Sequence, residues 1–159
     1  MRKYMLTLSM SLLLLISCNE EKIATELKSS SLEITLGSIC GWCAGGDSLL
    51  VTELKTHYEY NTPCDDFDLK KDTVTNRQDW EELTNLLDFE EFKKIDINTC
   101  YVCADGCDTW ITVNDGAITH TIRFGYDDSL AVQSVRPFID KLLAIRENVK
   151  SNSKDKSGQ

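Results

Sequence analysis

The sequence predicts an α+β domain, an antiparallel β-sheet with two main helices packed on one face. Three observations carry this. Stretches that alternate apolar and polar residues lie early and late in the chain. Between them sits a run with helical spacing, and a second such run closes the chain. The turn Asn114-Asp115-Gly116 divides two β-rich stretches, which marks a hairpin.

Leu32, Ile34 and Leu36 alternate with polar neighbours, so the domain opens with a strand, and Gly37 to Gly46 reads as a glycine- and cysteine-rich loop. Ser48 to Tyr60 is rich in β-branched and aromatic residues. It reads as one long second strand with Leu50, Leu54, Tyr58 and Tyr60 on one face. Asn61 to Lys71, with Pro63 and Cys64, reads as a loop, followed by a short edge strand near Asp72 to Thr75. Thr75-Asn76-Arg77-Gln78 has the form of a capping box, and Trp80, Leu83 and Leu87 then share one helical face. Helix restarts at Asp88, anchored by Phe89 and Phe92. Trp110 to Val113 is a strand, and Ile118 to Phe124 is its hairpin partner. The last helix runs from about Ser134 to Asn148. Pro137 is tolerated in its first turn, and Val135, Phe138, Leu142 and Ile145 form the buried stripe.

Ahead of this domain, Met5 to Ile16 is apolar apart from Thr7, Ser9 and Ser11, and it follows Arg2 and Lys3. That is the layout of a secretory signal peptide, too short for a permanent membrane span. Its end, Leu15-Ile16-Ser17-Cys18, resembles the lipobox of bacterial lipoprotein precursors. The resemblance implies cleavage before Cys18 and a lipid on its thiol, so that acyl chains hold the mature chain on a membrane. Asn19 after the cysteine points to the outer membrane, and Asn19-Glu20-Glu21-Lys22 resembles surface-export signals of Bacteroidetes lipoproteins. The expected organisation is a signal peptide at 1–17, a lipidated cysteine and tether at 18–31, the domain at 32–148 and a disordered polar tail at 149–159.

Losing Arg2 and Lys3 moves the net charge from −9 to −11. So acidic a surface argues against a nucleic-acid partner. Glu81-Glu82 and Glu90-Glu91 are expected on solvated helix faces. Asp65, Asp66 and Asp68 are expected in a loop that lacks the glycine turn of a Ca²⁺ site. His57 and His120 stand singly in strand-like stretches and read as surface or packing residues. The chain contains no GxGxxG, phosphate-binding loop, G-x-S-x-G or H-E-x-x-H pattern.

Six cysteines remain for the domain. Cys40-Gly41-Trp42-Cys43-Ala44-Gly45-Gly46 and Cys100-Tyr101-Val102-Cys103-Ala104-Asp105-Gly106 are both C-x-x-C-A-x-G before a strand, and Cys64 and Cys107 complete an even set. Matching loops could gather all six at one end of the sheet. Three chemistries fit. In an oxidising compartment an even count predicts disulfides, with fifteen pairings open and at least one bridge expected between the 40–43 and 100–107 loops. Two C-x-x-C pairs also resemble zinc-ribbon knuckles, which would make Cys40, Cys43, Cys100 and Cys103 ligands and leave Cys64 to pair with Cys107. The third chemistry is redox catalysis at a C-x-x-C, disfavoured because a strand pattern rather than a helix follows each pair.

The segments C-x-W-C and C-x-x-C-x-D-G-C-D, here Cys40 to Cys43 and Cys100 to Asp108, resemble a group of Bacteroidetes lipoproteins with no assigned activity. A more distant, architectural likeness is to emfourin-type inhibitors of metalloproteases. It rests on Gly41-Trp42-Cys43-Ala44-Gly45, the Trp80 helix, Asp105 to Val113 and the Pro137 helix. Emfourins lack these cysteines, and no inhibitory residue carries over. The resulting expectation is a non-enzymatic, lipid-anchored envelope domain without a cofactor. It would bind an envelope protein or a glycan, with Trp42 either the contact residue displayed by its tied loop or a side chain packed over the disulfides.

Overall fold

The computed structural model describes residues 31–65 and 67–154. The signal peptide, Cys18, the tether up to residue 30, Asp66 and the last five residues lie outside the described residues. No helix among the described residues is long and apolar enough to cross a membrane.

Six antiparallel strands form one sheet: β1 (Glu33–Cys40), β2 (Gly46–Val51), β3 (Lys55–Thr62), β4 (Phe67–Val74), β5 (Cys107–Asn114) and β6 (Thr119–Phe124). Their spatial order is β4-β3-β2-β1-β5-β6. The chain therefore lays down a four-stranded meander and later adds a hairpin on the free side of β1. Helices α1 (Arg77–Leu86) and α2 (Phe89–Phe92) connect the two parts, and α3 (Arg136–Lys154) closes the chain. The predicted α+β class is the observed one.

Register sorts the faces. Ile34 stands beside Val51 and Val113, and Leu36 beside Leu49 and Ile111. These side chains, with Tyr58 and Ile122, point to one face and are fully buried there. The helices cover that face with Trp80, Leu83, Phe92, Phe138, Ile139, Leu142 and Ile145, all in the same core cluster. Each such fully buried side chain contributes about 2 kcal/mol of transfer free energy. The face also holds Asp47, only 8% exposed, which accepts a bond from Ser38 Oγ. Its other partners are the Tyr58 hydroxyl at 3.4 Å and the Arg146 guanidinium at 3.3 Å. Burial, and then the Asp47 carboxylate, push the Tyr58 phenol well above its ordinary range.

Several boundaries differ from the sequence pattern. Residues 37–40 belong to β1, and Gly37 is a strand position because it lies opposite Trp110, whose indole occupies the space a Cβ would take. The expected long strand from Ser48 to Tyr60 is two strands. At the break, Thr52 Oγ1 receives the Lys55 amide and donates to the Lys55 carbonyl, each at 3.0 Å. Leu54 falls in that turn and is 68% exposed, so it does not share a face with Tyr58. The expected loop over Asn61 to Lys71 is the end of β3, a short turn and most of β4, with Asp68 in the strand. The capping box is replaced by Asn76 as the N-cap, its Oδ1 accepting the Asp79 amide at 3.1 Å. The Thr75 hydroxyl instead meets that of Thr56. Finally, α3 continues through Lys154, so the stretch expected as a disordered tail from 149 begins as helix.

Candidate functional site: the cysteine-tied end of the sheet

Alternating strand directions give the sheet two unlike ends. At one end lie the start of β1 and the turns 52–54 and 115–118. There Ser31 donates to the Asp115 carbonyl, which fixes where the described chain enters. At the other end lie the loop 41–45, the turn after β3, the loop 100–106 and the segment after β6. All six cysteines are at this second end, as the matching loops suggested.

They form three disulfides: Cys40–Cys107, Cys43–Cys64 and Cys100–Cys103, with Cα separations of 4.1, 5.3 and 5.4 Å. The first joins the ends of β1 and β5, which is the expected bridge between the two C-x-x-C segments. The four sulfurs that a zinc knuckle pair would need are all engaged, and Cys64 does not meet Cys107. Among the described residues no group of three or more His, Cys, Asp or Glu side chains is placed to hold a metal ion.

The loop between β1 and β2 is held at both sides. The Cys40 amide donates to the Gly45 carbonyl at 3.0 Å, and the Gly41 amide reaches across to the Gly106 carbonyl at 3.1 Å. At its tip Trp42 and Cys43 have φ of 52° and 65°, a left-handed conformation that L-residues adopt at a cost. Two such residues in succession persist where surrounding bonds over-determine them, here the bridge from Cys43 to Cys64. The result is an outward indole: Trp42 is 82% exposed and does not fold back over the disulfides.

Beneath this loop, on the face of the sheet away from the helices, lies a groove of about 380 Å³. Ile39, Ser48 and Gly46 form its floor, Trp110 one wall, and Glu59, Asn61 and Asp68 the other. Further along the same face His57 sits between Glu59 at 2.9 Å and Asp72 at 2.6 Å. Bonds to Glu59 and then Asp72 raise the imidazole pKa above 6.5. His120 is a packing residue, edge-on to Phe92 with its Nε2 at 2.9 Å from the Ile95 carbonyl.

Asp108 was not singled out by sequence reasoning, yet it organises the 100–107 loop. It is fully buried. Its carboxylate accepts the Tyr101 amide at 2.8 Å and the Val102 amide at 3.2 Å, and it pairs with Arg123 at 2.6 Å. Burial opposes its ionisation, but the Tyr101 amide, the Arg123 guanidinium and the Val102 amide outweigh this and lower its pKa. Nothing in the C-x-x-C-A-D-G-C-D pattern distinguishes Asp108 from the exposed Asp105 three residues earlier. Only its strand parity, on the face where Arg123 also stands, could have hinted at the pair.

The arrangement offers a rigid rim with an exposed aromatic residue beside a groove of mixed polarity. No protein-family model matches the chain, and no curated protein matches it either.

Proposed function

We propose that the chain is a lipoprotein anchored through Cys18 to the cell envelope, and that its cysteine-tied end is a binding surface for an envelope protein or a glycan. One observation carries this reading. The described chain enters at the end of the sheet opposite the six cysteines, so a tether at its N-terminus leaves Trp42 on the side away from the membrane. Disulfides on both sides of the loop cut the ordering entropy that a contact would otherwise cost. An exposed indole of this kind is the residue type that concentrates binding energy at interfaces.

The test has two arms. Detergent-phase partitioning should carry the wild-type chain into the detergent and leave Cys18→Ala in water; equal partitioning removes the anchor. For contact, a benzophenone amino acid is placed at Trp42 and, separately, at Ile118, an exposed residue at the opposite end. In intact cells position 42 should yield a discrete adduct that Ile118 does not. Equal labelling from both ends, or none from position 42, would sink the binding surface while leaving the anchor standing.

A further inference from the structure

We infer that Cys100–Cys103 is an exchangeable disulfide, which passes its oxidising equivalents to a protein dithiol, whereas the other two bridges are structural. This inference does not depend on the binding surface at Trp42.

Two observations separate this bridge from the others, and a third makes it reachable. It spans only three positions of sequence, against 67 for Cys40–Cys107 and 21 for Cys43–Cys64. The stabilisation a bridge gives by restricting the unfolded chain grows with the length of the loop it closes, so this one gives the least. Both of its cysteines are exposed, as Cys43 and Cys64 also are, so an attacking thiolate can reach either sulfur. Finally, the backbone that carries it is fixed by other means. Asp108 holds the Tyr101 and Val102 amides, and Cys40–Cys107 ties the loop's far end. The Gly106 amide returns to the Tyr101 carbonyl at 2.8 Å. The Tyr101 ring lies over Gly125, and its hydroxyl donates to Asp128 at 3.3 Å. Opening the bridge therefore leaves two thiols held near each other, ready to close again.

The exchange balances as follows. A thiolate of the partner dithiol attacks one sulfur of the pair. The Cys100–Cys103 bond breaks, a mixed disulfide forms, and the departing thiolate takes a proton. The partner's second thiolate then attacks the mixed disulfide, releases the second cysteine of the pair, and leaves the partner oxidised. Two electrons and two protons move from the partner to Cys100 and Cys103.

The experiment uses the purified full chain in mild detergent, exposed to graded dithiothreitol, alkylated and mapped peptide by peptide so that each cysteine is read separately. Cys100 and Cys103 should open about tenfold faster than the other four. They should close again in oxidised glutathione, with circular dichroism and melting temperature unchanged through the cycle. A synthetic peptide bearing a reduced Cys-x-x-Cys should be oxidised one for one by the wild-type chain and not by Cys100→Ser/Cys103→Ser. With the oxidised peptide, Cys100→Ser should trap a mixed disulfide at Cys103. If all three bridges open together, if 100–103 opens last, or if opening it melts the domain, the assignment is overturned. The mapping reads the wild-type chain, so a variant that fails to fold does not decide the result.

Discussion

At the scale of the residue, Asp108 shows how one buried carboxylate can decide the conformation of a loop. It meets two neighbouring amides and a guanidinium from a different strand. Asp108→Asn keeps the shape but loses the charge, and it leaves Arg123 without its partner. We expect a loss of about 2 kcal/mol at neutral pH, read from chemical denaturation. The pH dependence follows from the lowered pKa of Asp108 in the folded chain. Stability from this group is present above the unfolded value near 3.8 and is lost as pH falls through the folded value. The gap between wild type and variant should therefore close in acid; a gap independent of pH would mean that shape, not charge, matters here. Trp42 gives the opposite lesson. Its candidacy was legible because glycines and cysteines surround it, but its left-handed backbone was not, since neither Trp nor Cys favours that conformation.

At the scale of the element, legibility followed the strength of local signals. The Asn114-Asp115-Gly116 hairpin and the stripe of α3 were plain because turn chemistry and periodicity coincide there. The turn at 52–54 was hidden because Thr52-Glu53-Leu54 contains no glycine or proline; a threonine side chain supplies the bonds instead. Strand β4 was hidden for another reason. As an edge strand it carries Asp68, Lys70, Lys71 and Asp72 where a central strand would be apolar, so it resembles a loop in composition. Those charges have work in the sheet: Asp72 pairs with His57 and with Lys55, and Lys70 lies 3.5 Å from Glu59. The β3–β4 pairing should thus be visible in the titration of His57. Its ring protons are expected to titrate above 6.5, and Glu59→Gln should lower that midpoint. The sign is that of a raised pKa: this pairing contributes fully below 6.5 and fades as pH rises through the folded value. A His57 midpoint at or below 6.5 in the wild type would show that the cluster is not formed in solution.

At the scale of the whole molecule, the sequence indicated an even set of cysteines but not their pairing, because fifteen connectivities satisfy the same count. What selects among them is topology. The β5–β6 hairpin returns to the free side of β1, and this places Cys107 directly opposite Cys40 in the register. The bridge between them closes a loop containing three strands and two helices. By loop entropy it is worth about 4 kcal/mol. Cys40→Ser/Cys107→Ser should therefore lower the melting temperature by roughly 15 °C. A drop of only a few degrees would mean that the sheet alone closes that loop. The buried Asp47 group beneath α3 illustrates the same limit, since Ser38, Tyr58 and Arg146 are brought together only by the folded chain.

The two margins of the sheet are not alike. Beside β6, the Ile97 carbonyl accepts the Arg123 amide and the Thr99 amide donates to the Arg123 carbonyl, each at 3.0 Å, so a short parallel segment already pairs with the Arg123 end of that margin. The β4 margin has no such cover among the described residues and is guarded by charge alone. Stacking of sheets margin to margin into a fibre requires that every copy offer two sticky sides. A molecule with one side partly occupied offers its copies only the β4 side in full. Connectivity thus hinders growth at one margin, and charge at the other.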